Sequence, residues 1–136
     1  MIKIIYGEKG TGKTKIILDS VNNSVATAKG NVVFIQQKKG YSANIDLNVR
    51  CVYTEDYGFK GLNGFVGFID GLMAGNSDIE YIFIDGIARI AECNVEDLEA
   101  FISEANRLEK EYGVKFILTI SCAKENLPAF LAELAD

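Results

Sequence analysis

The chain has 136 residues, of which 49% are hydrophobic and 24% charged, with a formal net charge of −5. This length is enough for one domain with a real core, read as a single unit over 1–136, and the composition is that of an ordinary globular protein. The acidic balance argues against a bulk-basic nucleic-acid binder, no apolar run is long enough for a membrane span, and no basic-then-apolar leader opens the chain, so a cytoplasmic protein is the default expectation.

In chain order, Met1-Ile2-Lys3-Ile4-Ile5-Tyr6 is a short β-branched run, the pattern of a buried parallel strand. Residues 7–14 then read Gly-Glu-Lys-Gly-Thr-Gly-Lys-Thr, a full match to the phosphate-binding pattern G-x-x-x-x-G-K-[ST]. Its four fixed positions co-occur by chance in a chain of this length roughly once in a few hundred. The flank sharpens the match. Ile17, Leu18, Val21 and Val25 fall at helical spacing, with polar Lys15, Asp19, Asn22 and Asn23 between them. Strand, glycine loop and helix together are the context the motif needs; a plain Gly-rich turn is the competing reading.

Each residue type in the octet has a physical reason. Gly7, Gly10 and Gly12 let the backbone take unusual dihedrals and approach an anion closely. A helix starting near Lys13 aims unpaired N–H groups and a positive dipole end at that anion. Lys13 carries a compact charge on a long stem, and the Thr14 hydroxyl is a ligand for Mg²⁺. The expected nucleotide-contacting set is Gly7, Glu8, Lys9, Gly10, Thr11, Gly12, Lys13, Thr14 and Lys15.

Residues 31–37 hold a second buried strand around Val32-Val33-Phe34-Ile35, and 38–48 read as a polar loop. Residues 49–54 alternate and predict a short strand, with an edge position suggested. A helix is predicted over 62–74, with Leu62, Phe65, Val66, Ile69, Leu72 and Met73 on one face. Gly58, Gly61, Gly64, Gly67, Gly71 and Gly75 recur through this region. Glycine costs a helix about 1 kcal/mol relative to Ala, so either close packing against the sheet or a partner's helix offsets it, or the segment orders only on binding. Phe59, Phe65 and Phe68 suggest an apolar partner surface there.

Residues 80–85 form a third long strand ending in Asp85. The strongest helix covers 95–112, with Asn94 as N-cap, Glu96, Asp97 and Glu99 in its first turn and Gly113 as its stop. Residues 114–120 are the fourth long strand, and 126–134 a terminal helix with Pro128 in its first turn. The alternation predicts an α/β three-layer sandwich: a mainly parallel sheet flanked by helices on both faces, with ligand at the carboxyl ends of the strands. The three cysteines are widely spaced and there is no histidine, so zinc sites and Cys–His nucleophiles are excluded and the cysteines read as buried thiols.

Gly7, Gly12, Lys13 and Thr14, with the apolar strand Tyr81-Ile82-Phe83-Ile84-Asp85, give the chain a resemblance to the P-loop NTPase superfamily. The resemblance implies that Asp85 lies beside Thr14 and shares Mg²⁺ with it, the plainer alternative being an Asp-Gly turn. The spacing is similar to the RecA/AAA-like branch, in which the long strands run 1-4-3-2 and the last of them carries a γ-phosphate sensor, here Thr119 or Ser121. That branch includes pilus-retraction and recombinase motor ATPases, whose length this chain lacks; the former's histidine-containing motif cannot exist here.

Two departures matter. Gly86 stands where many members place a glutamate that activates water. The substitutes are Glu55 or Asp56 after the short strand, with Gln36 or Gln37 positioning water; a solvated carboxylate is the alternative for Glu55. Arg89 either touches phosphate, reaches a neighbouring site or is solvated. The guanine-reading Asn-Lys-x-Asp motif is absent, which favours ATP. The expectation is a Mg-ATP-binding protein that is a slow or assembly-dependent ATPase, working with copies of itself or a protein partner. The alternatives are a non-hydrolysing nucleotide sensor and a small-molecule kinase, the last disfavoured by the missing Arg-rich lid.

Overall fold

The computed structural model describes residues 1–40 and 44–135. The loop expected over 38–48 thus falls partly on residues 41–43, which lie outside the described residues. Each apolar run is followed by a crossover rather than a tight hairpin, and strands so connected pair in parallel. Five strands, β1 (Ile2–Gly7), β2 (Asn31–Gln36), β3 (Val49–Tyr53), β4 (Ile79–Ile84) and β5 (Lys115–Ser121), form one all-parallel sheet in the order β1-β5-β4-β2-β3. The order expected from sequence covered only the four long strands. The short run at 49–54 is a full member of the sheet as β3, at the outer edge beside β2.

The helices are α1 (Lys13–Thr27), α2 (Gly61–Gly75), α3 (Ile87–Ile90), α4 (Glu99–Tyr112) and α5 (Ala129–Ala132). Alternate residues of a strand point to opposite faces, and the core divides accordingly. On one face α1 lays Ile17, Leu18 and Val21 over Val32, Phe34, Phe83 and Ile117. On the other, α2 and α4 cover Val33, Ile35, Ile82, Ile84, Phe116 and Leu118 with Phe65, Ile69, Met73, Phe101 and Leu108. Phe65 stacks on Phe101 at 5.7 Å, and Phe101 meets Phe116 edge-on at 5.9 Å. Among the described residues no helix is long and apolar enough to cross a membrane.

Several elements differ from expectation. The helix over 95–112 begins as a 3-10 turn, Val95–Leu98, before α4 takes over. Asn94 and Asp97 close a capping box there, and Gly113 ends α4 in the left-handed region at φ 77°. The terminal helix shrinks to the four residues of α5. Its N-cap is Pro128, and the chain then turns back so that the Leu134 carbonyl accepts the Ile4 N–H at 3.2 Å and Ala135 bridges to Ile4 along the outer edge of β1.

The glycine stripe behaves differently again. Only Gly64 is close-packed, with a Cβ position 3.3 Å from Phe59 Cβ, while the Cβ positions of Gly67, Gly71 and Gly75 meet nothing within 4 Å. Packing against the sheet therefore does not offset their helix cost. Phe59, Phe65 and Phe68 pack on one another, with centroids 5.0 to 6.5 Å apart.

Candidate functional site

β1 carries the chain to the carboxyl edge of the sheet and releases it at Gly7. Gly7 pairs in register with Ser121, and its carbonyl accepts the Cys122 N–H at 3.0 Å, so the start of the loop is tied to β5. Thr11 then folds back on Glu8: its hydroxyl and N–H both donate to the Glu8 carbonyl, at 2.7 and 3.3 Å. A Cβ on Gly7 would stand 2.6 Å from Thr11 Oγ1, so this turn closes only over glycine. Gly10 and Gly12 sit at φ 86° and 87°, a left-handed conformation that L side chains rarely adopt.

Lys13 is 9% exposed, and its ammonium donates to the carbonyls of Gly7 and Glu8 at 2.8 and 2.9 Å. Two of its three hydrogens thus hold the loop's own carbonyls, and the charge is centred inside the turn. Helix α1 begins at this point without a side-chain cap and without an acidic residue in its first turn. Lys13 and Lys15 occupy that turn, with Lys15 paired to Asp19 at 3.0 Å. Cations at a helix N-terminus oppose the dipole, and the unpaired N–H groups remain unmet. Both features favour an anion at this spot.

Opposite the helix start, three polar groups converge. Thr14 Oγ1 donates to Asp85 Oδ2 at 3.1 Å, Thr119 Oγ1 donates to Asp85 Oδ1 at 2.6 Å, and the Gly86 N–H donates to Thr119 Oγ1 at 2.8 Å. Asp85 follows β4 and Thr119 lies in β5, both on the face that α1 covers. The Asp85 N–H donates to the Ile35 carbonyl at 2.9 Å, which prolongs β4's pairing with β2 by one step. Gly86 takes φ 81°, and a Cβ there would meet the Arg89 guanidinium at 2.7 Å. Arg89 therefore lies back over Gly86, and a glutamate at position 86 would need a left-handed backbone.

These groups line a cavity of about 590 Å³ together with Lys9, Gly10, Gly12, Leu18, Asn44 and Ser121. Among the described lining residues, Lys9, Lys13, Lys15 and Arg89 are cationic and Asp85 is the single carboxylate. An acidic chain thus concentrates positive charge around one hollow.

The sequence-predicted residues fall into three groups. Lys9, Gly10, Gly12, Lys13, Thr14, Lys15, Asp85, Arg89, Thr119 and Ser121 line the cavity, while Gly7, Glu8 and Thr11 shape the loop behind it. Gln36, Gln37 and Lys38 line a smaller lobe that shares Asp85 and Arg89 with it. Glu55 and Asp56 sit exposed on a 3-10 turn, and Glu55 lines a third hollow with Tyr57, Phe59 and Glu92, which shares Gln37 and Lys38 with that lobe but includes neither Lys13 nor Thr14.

The free thiols of Cys51, Cys93 and Cys122 are half-buried rather than buried, and desolvation pushes those of Cys93 and Cys122 above the ordinary range. Searches against models of known protein families and against curated proteins find no match to this chain.

Sequence reasoning missed Leu18 and Asn44. Leu18 reads only as core, because its 8% exposed edge carries no signal. Asn44 is brought to the cavity by the tie between Asn22 of α1 and the 44–46 segment: Asn22 Nδ2 donates to the Asn44 carbonyl at 2.7 Å and its Oδ1 accepts the Asp46 N–H at 2.9 Å.

Proposed function

We propose that this chain binds a magnesium nucleoside triphosphate, ATP by preference, in the loop of residues 7–15, and has the P-loop NTPase fold of the RecA/AAA-like kind. The observation that carries this reading is the start of α1: an uncapped helix with lysines in its first turn, whose own Thr14 donates to Asp85 across the cavity. Phosphate oxygens would meet the N–H groups of the loop and helix start, with Lys13 supplying charge. Mg²⁺ takes oxygen ligands and is commonly held by one or two protein groups plus phosphates. The Thr14 hydroxyl and the Asp85 carboxylate fit that role. Bound there, Mg²⁺ would neutralise phosphate charge.

Hydrolysis is a separate matter. Asp85 is the sole carboxylate among the described cavity-lining residues, and both its oxygens already accept hydrogen bonds. This favours a base supplied by another copy or a partner, and with it an assembly-dependent ATPase. The same observation favours a second reading, a nucleotide sensor that does not turn over.

Mg-ATP binding and turnover, measured for wild type and Lys13→Ala across protein concentration, test both. Wild type should bind, and Lys13→Ala should weaken binding about a hundredfold, the worth of charge-assisted hydrogen bonds to phosphate. Turnover per chain that rises with concentration supports assembly; binding without turnover supports the sensor. If wild type binds neither ATP nor GTP, the proposal fails.

A further inference from the structure

The phosphate cavity continues past Asp85 into a lobe of about 290 Å³ lined by Gln36, Gln37, Lys38, Asp85 and Arg89. Gln36 is the last residue of β2. Val32 and Phe34 before it face α1, so the strand period turns Gln36 to the same face. The register places it in a row. Phe34 pairs with Phe83 and Ile35 with Ile84, so the next step sets Gln36 beside Asp85; Ile84 pairs with Leu118, which sets Asp85 beside Thr119. Thr119, Asp85 and Gln36 thus run across three adjacent strands, directly above the apolar row Ile117, Phe83 and Phe34.

Within this row the first two members satisfy each other, and the third does not. Gln36 is 6% exposed, and its Nε2 is buried without a hydrogen-bond partner. A buried amide donor left unpaired disfavours the folded state, so such a group calls for an acceptor. The side chains around the lobe point to the acceptor's nature. Lys38 and Arg89 are cations, Gln37 is a second amide, and Asp85 is shared with the phosphate cavity. An anionic group rich in oxygens matches this set.

We propose that Gln36 contacts the terminal phosphate of a nucleoside triphosphate seated in the loop, and that this contact lets the site tell a triphosphate from a diphosphate. The inference rests on the phosphate-loop reading above and goes beyond it. The loop and the helix start hold the inner phosphates, and the group lying past Thr14 and Asp85 is the outermost one. The Gln36 amide donates a hydrogen bond to it. An amide cannot take up a proton at neutral pH, so Gln36 reads the third phosphate without activating water against it.

The test compares Mg-ATP and Mg-ADP affinity by calorimetry for wild type, Gln36→Met and Gln36→Glu. Methionine keeps the side-chain length and removes the donor; glutamate keeps the shape and adds a charge beside Asp85. Wild type should prefer ATP, and Gln36→Met should cut the ATP-to-ADP affinity ratio about tenfold, as the loss of one hydrogen bond to a charged group implies, with ADP affinity unchanged. Gln36→Glu should cut the ratio at least as far, by repulsion. Either variant, if folded by circular dichroism, suffices. An unchanged ratio with ATP binding intact overturns the role of Gln36 and leaves the phosphate-loop reading standing. Wild type that binds neither nucleotide overturns both.

Discussion

Two helical segments in this chain start in opposite ways. At 94–97, Asn94 and Asp97 close a reciprocal capping box, the Asn94 N–H donating to Asp97 Oδ2 at 3.1 Å, and Glu96 and Asp97 place negative charge at the positive end of the segment. At 12–15 a glycine stands at the cap position, no side chain caps the helix, and the first turn carries lysines. Every helix begins with four N–H groups that have no partner within it. The first segment answers that need with its own side chains, and the second leaves it for something outside the helix. A start without a cap, worth about 1 kcal/mol, and with like charge against its dipole fits the proposed anion site, where a ligand would meet those N–H groups.

If so, damage at the two starts should register in different measurements. After Lys13→Ala, the largest effect is expected at Asp85, which accepts the Thr14 hydroxyl at the start of α1. Asp85→Asn keeps the size and the Thr119 contact but removes the charge that would hold Mg²⁺. Mg-ATP affinity should fall about tenfold or more and lose its sensitivity to EDTA, with little change in melting temperature. At the other start, Asn94→Ala should cost about 1 kcal/mol, seen as a drop of about 4 °C in melting temperature, with nucleotide affinity unmoved. An affinity change there would break the contrast.

A smaller, opposite effect is expected in α2, where Gly67 has no neighbour within 4 Å of its Cβ position. Gly67→Ala should raise stability by up to about 1 kcal/mol in a denaturant titration. No gain would mean that the glycine's freedom is not what limits the helix.

The smallest effect concerns pH. Burial, with the neighbouring Glu104 carboxylate, pushes the Asp70 carboxyl up to about 6, while the Arg107 guanidinium holds Glu104 down at about 2. A raised carboxyl stabilises the fold at low pH and loses that contribution as pH rises through its folded value. A depressed one stabilises at higher pH and loses its contribution as pH falls toward about 2. Between the ordinary carboxylate range and about 6 both terms are favourable. Melting temperature should therefore decline slightly from about pH 5 to about pH 7.5, and Asp70→Asn should flatten that decline.

Much of the architecture was legible because it is written in local pattern. The apolar runs read at 1–6, 32–35, 80–85 and 114–120 exceed what a one-sided strand needs, so they announce a sheet covered on both faces. The 7–14 octet announces its own loop, and Asp85 follows from an apolar strand ending in a carboxylate. What stayed hidden depends on long-range register. The Thr119–Asp85–Gln36 row exists only once β5, β4 and β2 are aligned, and a one-residue slip would send each side chain to the other face. Gln36 could be named as a candidate from the end of its strand, but not as an unpaired donor. Asn44 reaches the cavity through Asn22, a tie that no periodicity reports. The terminal helix was overread because its helical spacing competes with a backbone pairing to Ile4 that only the fold supplies.

The seat of β1 also governs the order of folding. Its ladder partner is β5, through pairs such as Ile4 with Leu118, and the Cys122 N–H fastens the Gly7 carbonyl. Everything from β1 through β5 must therefore be present before the octet gains its anchor, and closing so long a connection is slow. A fragment ending before β5 would carry every residue of the motif and still lack the scaffold that shapes it.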